Sequence, residues 1–286
     1  MKSEDLLKIT YKGTDYSLKE LIDDNNNFMK SLAIPGEMNM APAGLEFVSL
    51  GDFGYLIARD KFRHLYNLLA TARFAACEAH KKLHKSPVLW SNGYIGQMWI
   101  RSQYLKNAVL WYNSCDDYLL QVIWFAFDFC DPYTLNKPNK YKQTLRRCRW
   151  DSLIPTMEAR KAEPNIGFLL AKIQEFRSLA VVSTVRSIAN SLKHHADLYI
   201  KDLDVQPDYV VESYKGFTST AVADKPLDID EAVILLQGMH KAVIDFAMLL
   251  LEFIDFKAPF AEDGEGVIHL DRIRDKTIYK KFFIKP

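Results

Sequence analysis

Apolar positions along this chain fall into long runs with helical spacing, bracketed by short stretches that alternate like strands. Residues 6–16, LLKITYKGTDY, alternate around Gly13 and predict a short strand or hairpin. Ser17 then stands three residues before Glu20, the capping-box spacing, so a helix is expected over LKELIDDNNNFMKSL. Pro and Gly recur from Pro35 to Gly54 and mark a long loop. Helical spacing returns from about Arg59 to His84, breaks at Ser86-Pro87, and runs again from about Tyr94 to Phe129. The second half of that last run is apolar on every side, as a central helix requires.

The stretch Asn165 to His195, NIGFLLAKIQEFRSLAVVSTVRSIANSLKHH, reads as one long helix capped by Asn165. At about 100° per residue, Val181, Val185, Ile188, Ala189 and Leu192 share one side, while Ser183, Arg186, Asn190, Lys193 and His194 share the other. Phe168, Leu169, Leu170, Ile173, Phe176 and Leu179 point in many directions, so the first half is expected to be buried nearly all round. Alternation at Leu198, Ile200 and Val210 and from Phe217 to Ala223, with turns at Gln206-Pro207 and Lys215-Gly216, predicts a small antiparallel meander. Asp228 or Asp230 starts a last, mostly apolar helix reaching about Phe256. The fold class expected is mainly α: a bundle of long antiparallel helices, a β meander inserted before the last helix at about 197–224, and short strands at the termini. Residues 1–58 form an N-terminal extension in this scheme, 59–256 the helical domain, and 257–286 a tail.

Composition supports a packed core: of 286 residues, 49% are hydrophobic and 13% aromatic, which excludes disorder as the main state. With 37 basic against 36 acidic residues, any pull on nucleic acid or anionic lipid must be local. The start, MKSEDLLKITYKG, has no uninterrupted apolar run, and charges interrupt every long helix. Neither a secretory signal nor a membrane span is therefore expected, and the expected location is the cytoplasm. Cys77, Cys115, Cys130 and Cys148 are widely spaced with no C-x-x-C pair and read as reduced core thiols. No G-x-x-x-x-G-K-[ST] loop occurs, and no cofactor is expected.

Four places carry candidate chemistry. His80 and His84 are spaced for half of a metal site, but three lysines around them favour a solvated helix end, and no metal is expected. Asp116 and Asp117 interrupt an apolar run, where a carboxylate needs a donor or cation. Arg186 is the candidate partner; in the plainer alternative one Asp faces solvent. Residues 131–150 gather Lys137, Lys140, Lys142, Arg146, Arg147 and Arg149 against Asp131 alone, with Tyr133, Tyr141 and Trp150 interleaved. Such a segment suits phosphate binding with stacking, and its bland counterpart is an ordinary solvated helix.

The fourth place is the polar side of Arg186 to His194. Cutting RNA without a metal needs a base for the 2′-hydroxyl, an acid for the leaving oxygen and a cation at the phosphate. His and Arg have that chemistry, and Asn190, one turn after Arg186, suits holding the Arg or the phosphate. These residues, with Lys193, the preceding long helix bearing Asp116-Asp117 and the closing apolar helix, resemble the HEPN superfamily (higher eukaryote and prokaryote nucleotide-binding). The similarity is to larger bacterial members with a strand insertion before the last helix, over roughly residues 59–256.

The resemblance implies a metal-independent endoribonuclease of a bacterial defence or toxin-type system, acting on RNA as a homodimer, with a protein partner such as an antitoxin. It implies Arg186 and His194 as the catalytic pair, with Asn190 between them. The family sets these two closer together. Here seven residues intervene, about 12 Å of helical rise, so assembly across a dimer two-fold would bring Arg from one chain to His of the other. Non-catalytic RNA or nucleotide binding and a protein-interaction role fit the same residues, as does simple helix-end stabilisation.

Overall fold

The computed structural model describes residues 8–40, 53–84, 93–129, 137–194, 197–203, 213–214, 217–218 and 226–256. It is mainly helical. A hairpin of β1 (Lys8–Tyr11) and β2 (Thr14–Ser17) leads into α1 (Leu18–Ser31), followed by a short 3-10 turn at Gly36–Met38. Then come α2 (Phe53–His80), α3 (Tyr94–Ala126), α4 (Pro138–Arg147), α5 (Trp150–Ala159), α6 (Pro164–Ser178) and α7 (Ala180–His194). Two-residue strands β3 (Ser213–Tyr214) and β4 (Phe217–Thr218) pair antiparallel before α8 (Ile229–Phe253). The rest of the expected meander, Cys130, Tyr133 and the 257–286 tail lie outside the described residues. The chain divides into two compact units, each drawn from three separated stretches.

The first unit takes its described residues from Met1–Ala33, Ala72–Leu110 and Thr184–Gly238. Its hairpin pairs Tyr11 with Thr14 across Lys12 and Gly13, whose φ values of 47° and 77° form a two-residue turn. Both turn positions need positive φ for the twist of the flanking strands, and Gly13 adopts it without strain. Ser17 and Glu20 form the expected capping box, each bonding the other's backbone N–H. The face of α1 is fixed by Leu21, which is buried, and by Phe28, whose ring stacks on His80 at 4.1 Å. Asp24 accepts from His80 Nε2 at 3.1 Å and from Lys82 at 2.6 Å.

The centre of this unit is Arg101 of α3, fully buried. Its guanidinium donates to the Ala79 carbonyl at 2.7 Å, to Tyr11 Oη, and to Asp230 at 2.6 Å. Asp230 also accepts from Tyr11 Oη at 3.0 Å and from Lys12 at 2.9 Å, and Lys12 reaches Asp228 as well. A buried charge is tolerated when paired and hydrogen-bonded in this way. The network thus ties the hairpin, the end of α2, α3 and the first turn of α8. Asp228 accepts the Asp230 N–H at 2.9 Å and caps α8, as the sequence suggests.

The second unit takes its described residues from Ile34–Thr71, Trp111–Ser183 and Met239–Pro286. The second half of α3 is buried on nearly every side, as expected of a central helix, through Tyr112, Leu119, Leu120, Ile123 and Phe125. Tyr112 Oη and His240 Nδ1 meet at 2.9 Å in this core. Phe253 of α8 packs on Phe127 and Phe168, and Phe246 stacks on Phe176 at 5.0 Å. The α5–α6 connection is tight: a Cβ added at Gly167 would lie 2.7 Å from the Lys161 carbonyl oxygen.

Three sequence expectations change here. The run from Asn165 to His195 is two helices, because Leu179 is extended (φ −56°, ψ 129°) between α6 and α7. The Ser178 hydroxyl bonds the Glu175 carbonyl at 2.7 Å, Leu179 N–H closes α6, and the Leu179 carbonyl accepts the Ser183 N–H. Hydrophobic spacing reports which side of a chain is buried, and a one-residue break leaves that spacing intact. Second, α6 is buried along one stripe, Ile166, Leu169, Leu170, Ile173 and Phe176, rather than all round. Third, its cap is Glu163 with Pro164 at the first helical position, so Asn165 lies inside the helix. Among the described residues, α8 alone is long and apolar enough to cross a membrane by length and composition, with mean hydropathy 1.6, and half of its most apolar window is buried inside the protein.

Candidate functional site

In the second unit, α4 is strongly two-sided. Thr144 and Cys148 are buried and Tyr141 and Leu145 half-buried, while Lys137, Lys140, Lys142, Arg146, Arg147 and Arg149 are all exposed. No acidic residue occurs between 137 and 149, and none of the six cations has an ion-pair partner among the described residues. The inward side chains anchor the helix: Thr144 Oγ1 donates to Lys140 O and Cys148 Sγ to Thr144 O. The aromatic side chains near this face are already engaged. Arg177 lies 4.2 Å over the Trp150 ring, and Tyr141 packs against Phe125 and Lys61. The stacking surfaces expected from the sequence are therefore used within the protein, which leaves α4 a charged surface without free ring faces at Tyr141 and Trp150.

Arg177 also answers the question of Asp116. That carboxylate is buried and receives Arg177 Nε at 3.0 Å and Nη2 at 2.5 Å. The donor is Arg177 of α6, not Arg186 of α7. Asp116 Oδ1 is buried without a partner, and Asp117 is exposed. The pair thus splits into one buried carboxylate held by Arg177 and one exposed carboxylate.

In the first unit, α7 buries Val185 and Ala189 and half-buries Ile188 and Leu192, close to the predicted apolar side. Val182, also buried, belongs to the second unit's part of the helix. On the other side Arg186 is half-buried, and Asn190, Lys193 and His194 are exposed. Arg186, Asn190 and Lys193 make no ion pair or side-chain hydrogen bond to the described residues. The structure therefore leaves these three groups open to a ligand or a second chain, with Arg186 and His194 two turns apart on the helix.

His80 and His84 do not share a helix face. His80 ends α2, His84 follows it, and both are largely buried rather than solvated. Gln97 bonds the His84 N–H and carbonyl at 2.6 and 3.1 Å, and the ring stacks on Tyr104. Burial lowers the pKa of each imidazole, outweighing Asp24 beside His80 and Glu78 beside His84. Among the described residues no group of three or more His, Cys, Asp or Glu is placed to hold a metal ion.

Sequence reasoning missed Lys61, Tyr118 and Arg101. Lys61 of α2 is buried in the second unit with its Nζ 5.8 Å from the ring centroids of both Tyr118 and Tyr141. Burial lowers its pKa, although Asp60 is adjacent. Its signal was faint: one lysine at an otherwise apolar helical spacing between Ala58, Phe62 and Leu65.

Fold and surfaces together define a mainly α-helical protein with a bare basic helix and an open polar helix end. No known family model matches the chain, and no curated protein and no solved structure matches it.

Proposed function

We propose that this protein binds RNA through the exposed face of α4. The observation that supports it most directly is the set of six exposed cations, Lys137 to Arg149, with no counter-ion among the described residues. Phosphates supply the missing charge, and displaced counter-ions drive the association. With Trp150 and Tyr141 engaged inside the protein, recognition rests on the RNA backbone, and sequence preference is weak.

The test is the salt dependence of binding to a single-stranded RNA. Each phosphate contact contributes about −0.7 to the slope of log K against log salt, so six contacts give about −4. Replacing Lys140, Arg146 and Arg147 by Ala should bring the slope to about −2. Binding indifferent to both salt and these three residues would reject the proposal.

A second reading is RNA cleavage of the HEPN kind, favoured by the exposure of Asn190 and His194 and the unengaged Arg186 on one side of α7. In it, a cytoplasmic homodimer sets Arg186 of one chain near His194 of the other, and Lys193 assists phosphate binding. A protein partner such as an antitoxin would restrain it. An EDTA-treated sample should then cut RNA, and His194→Ala should abolish cutting with an unchanged melting temperature. Full cutting by that variant removes this reading and leaves the binding proposal standing.

A further inference from the structure

On the exposed face of α4 two uncharged side chains stand among the cations. Asn139 and Gln143 are both exposed, with no side-chain hydrogen bond to the described residues. They are one helical turn apart, and at about 100° per residue they lie about 40° from each other around the axis. Lys142 and Arg146 fall to one side of them, Lys140 and Arg147 to the other. The face is therefore a pair of amides between two cationic flanks. Proteins that hold single-stranded RNA combine a basic groove with ring faces on which unpaired bases stack. At Tyr141 those faces are taken by Phe125 and Lys61, and at Trp150 by Arg177. A duplex needs no such faces, because its bases stack on one another, and it presents phosphates in two rows, one on each strand.

We propose that α4 recognises double-stranded RNA, lying across its shallow minor groove with Asn139 and Gln143 on ribose 2′-hydroxyls and the cationic flanks on the phosphates of the two strands. This preference rests on the reading of α4 as an RNA-binding surface and adds the form of the RNA to it. A carboxamide and a hydroxyl each donate and accept, so either satisfies the other. The minor groove of A-form RNA is wide and displays 2′-hydroxyls, whereas its major groove is too deep and narrow for side chains to read. The relief of the protein surface selects the same groove. Thr144 and Cys148 are buried and Tyr141 and Leu145 half-buried, so α4 offers only its outer half. Half of a helix about 10–12 Å across stands roughly 5–6 Å proud, short of the roughly 8.5 Å depth of the major groove of B-DNA. On DNA the two amides would also find no 2′-hydroxyl.

The experiment uses the intact protein with three labelled probes: a short RNA duplex, one of its strands alone, and the DNA duplex of the same sequence. At one salt concentration, fluorescence anisotropy should show the RNA duplex bound about tenfold more tightly than either of the others, the worth of two hydrogen-bonding amides. Replacing Asn139→Ala and Gln143→Ala together should remove that margin and leave the slope against salt unchanged, since no cation is lost. Both side chains are exposed, so their truncation leaves folding intact. Equal or tighter binding of the single strand or of the DNA duplex overturns the proposal, and so does a margin that survives the double variant. If the single strand binds at least as tightly with the expected salt slope, only the preference for a duplex falls. If neither form of RNA binds, the RNA reading of α4 falls with it.

Discussion

Asp230→Asn should destabilise this protein more than Arg101→Met, although the second removes the larger side chain. The amide would keep the shape of the carboxylate but cancel the charge that faces Arg101 at 2.6 Å. The guanidinium would stay at zero exposure with neutral acceptors alone, the Ala79 carbonyl, Tyr11 Oη and the new amide oxygen. Breaking a buried pair from the acidic side in this way costs about 3–5 kcal/mol. Arg101→Met leaves Asp230 with Lys12 at 2.9 Å, and its side chain is 36% exposed, so water and Lys12 share the charge. The cost there is one charged hydrogen bond, about 1.5–3 kcal/mol. The double variant should be no worse than Asp230→Asn alone, since no charge is then stranded. Urea unfolding followed by far-ultraviolet circular dichroism reads all three, and equal or larger loss in Arg101→Met would refute the reasoning. The pH arm follows from the same contacts. Burial alone would raise the Asp230 carboxyl, but hydrogen bonds from Arg101 and Lys12 hold it well below the usual carboxylate range. Its contribution is therefore complete above the unfolded value of about 3.9 and is lost only as pH falls through the folded one.

Arg177→Met should cost about 3–5 kcal/mol, because Asp116 is buried and loses its cation, whereas Arg186→Met should stay within about 0.5 kcal/mol; comparable losses would mean that Asp116 has another partner. His80 and His84 are held below the ordinary imidazole value, so the unfolded chain takes up their protons first. Stability should be full above about pH 6.5 and fall as pH drops through that value toward the lower folded ones, and a His80→Gln, His84→Gln variant should show a flatter urea midpoint between about pH 7.5 and 5.5. Gly167→Ala should cost about 1–3 kcal/mol in thermal unfolding, since its Cβ would press on the Lys161 carbonyl backbone; an unchanged melting temperature would show that the α5–α6 connection gives way freely.

Local chemistry was legible in the sequence wherever the signal and its cause lie within a few residues. The turn at Gly13, the Ser17–Glu20 cap and the start of α8 at Asp228 are of this kind. The apolar side of α7 was legible for the same reason, since that helix carries its own buried stripe, whereas the run of cations at 137–149 was legible but the buried side of α4 at Thr144 and Cys148 was not. What pairs with what across the chain was not. Asp116 needed a cation, and although nine residues at about 100° each put Arg177 and Arg186 on opposite sides of one apparent helical run, nothing in the linear pattern says which side faces Asp116. Arg101 looked like an ordinary polar residue of α3, because its three acceptors are supplied by residues 22, 90 and 129 positions away. Lys61 was hidden likewise, its tyrosines arriving from two other helices. The break at Leu179 escaped because a single extended residue leaves the hydrophobic rhythm unbroken.

The grip of Lys12 on Asp228 and Asp230 has a consequence in time. The hairpin turn is made by residues 12 and 13, yet its latch is 216 to 218 positions downstream. A ribosome adding about 5–20 residues per second needs roughly 11–44 s to deliver the second half of that contact. For much of that interval Arg101 has been made without Asp230, an arginine destined for complete burial waiting for its anion. The first unit therefore cannot close in the order in which it is made. Its early helices must be kept from premature partners until the last one leaves the tunnel, and substitutions that weaken the latch should show up as poor yield from synthesis before they show up in the purified protein.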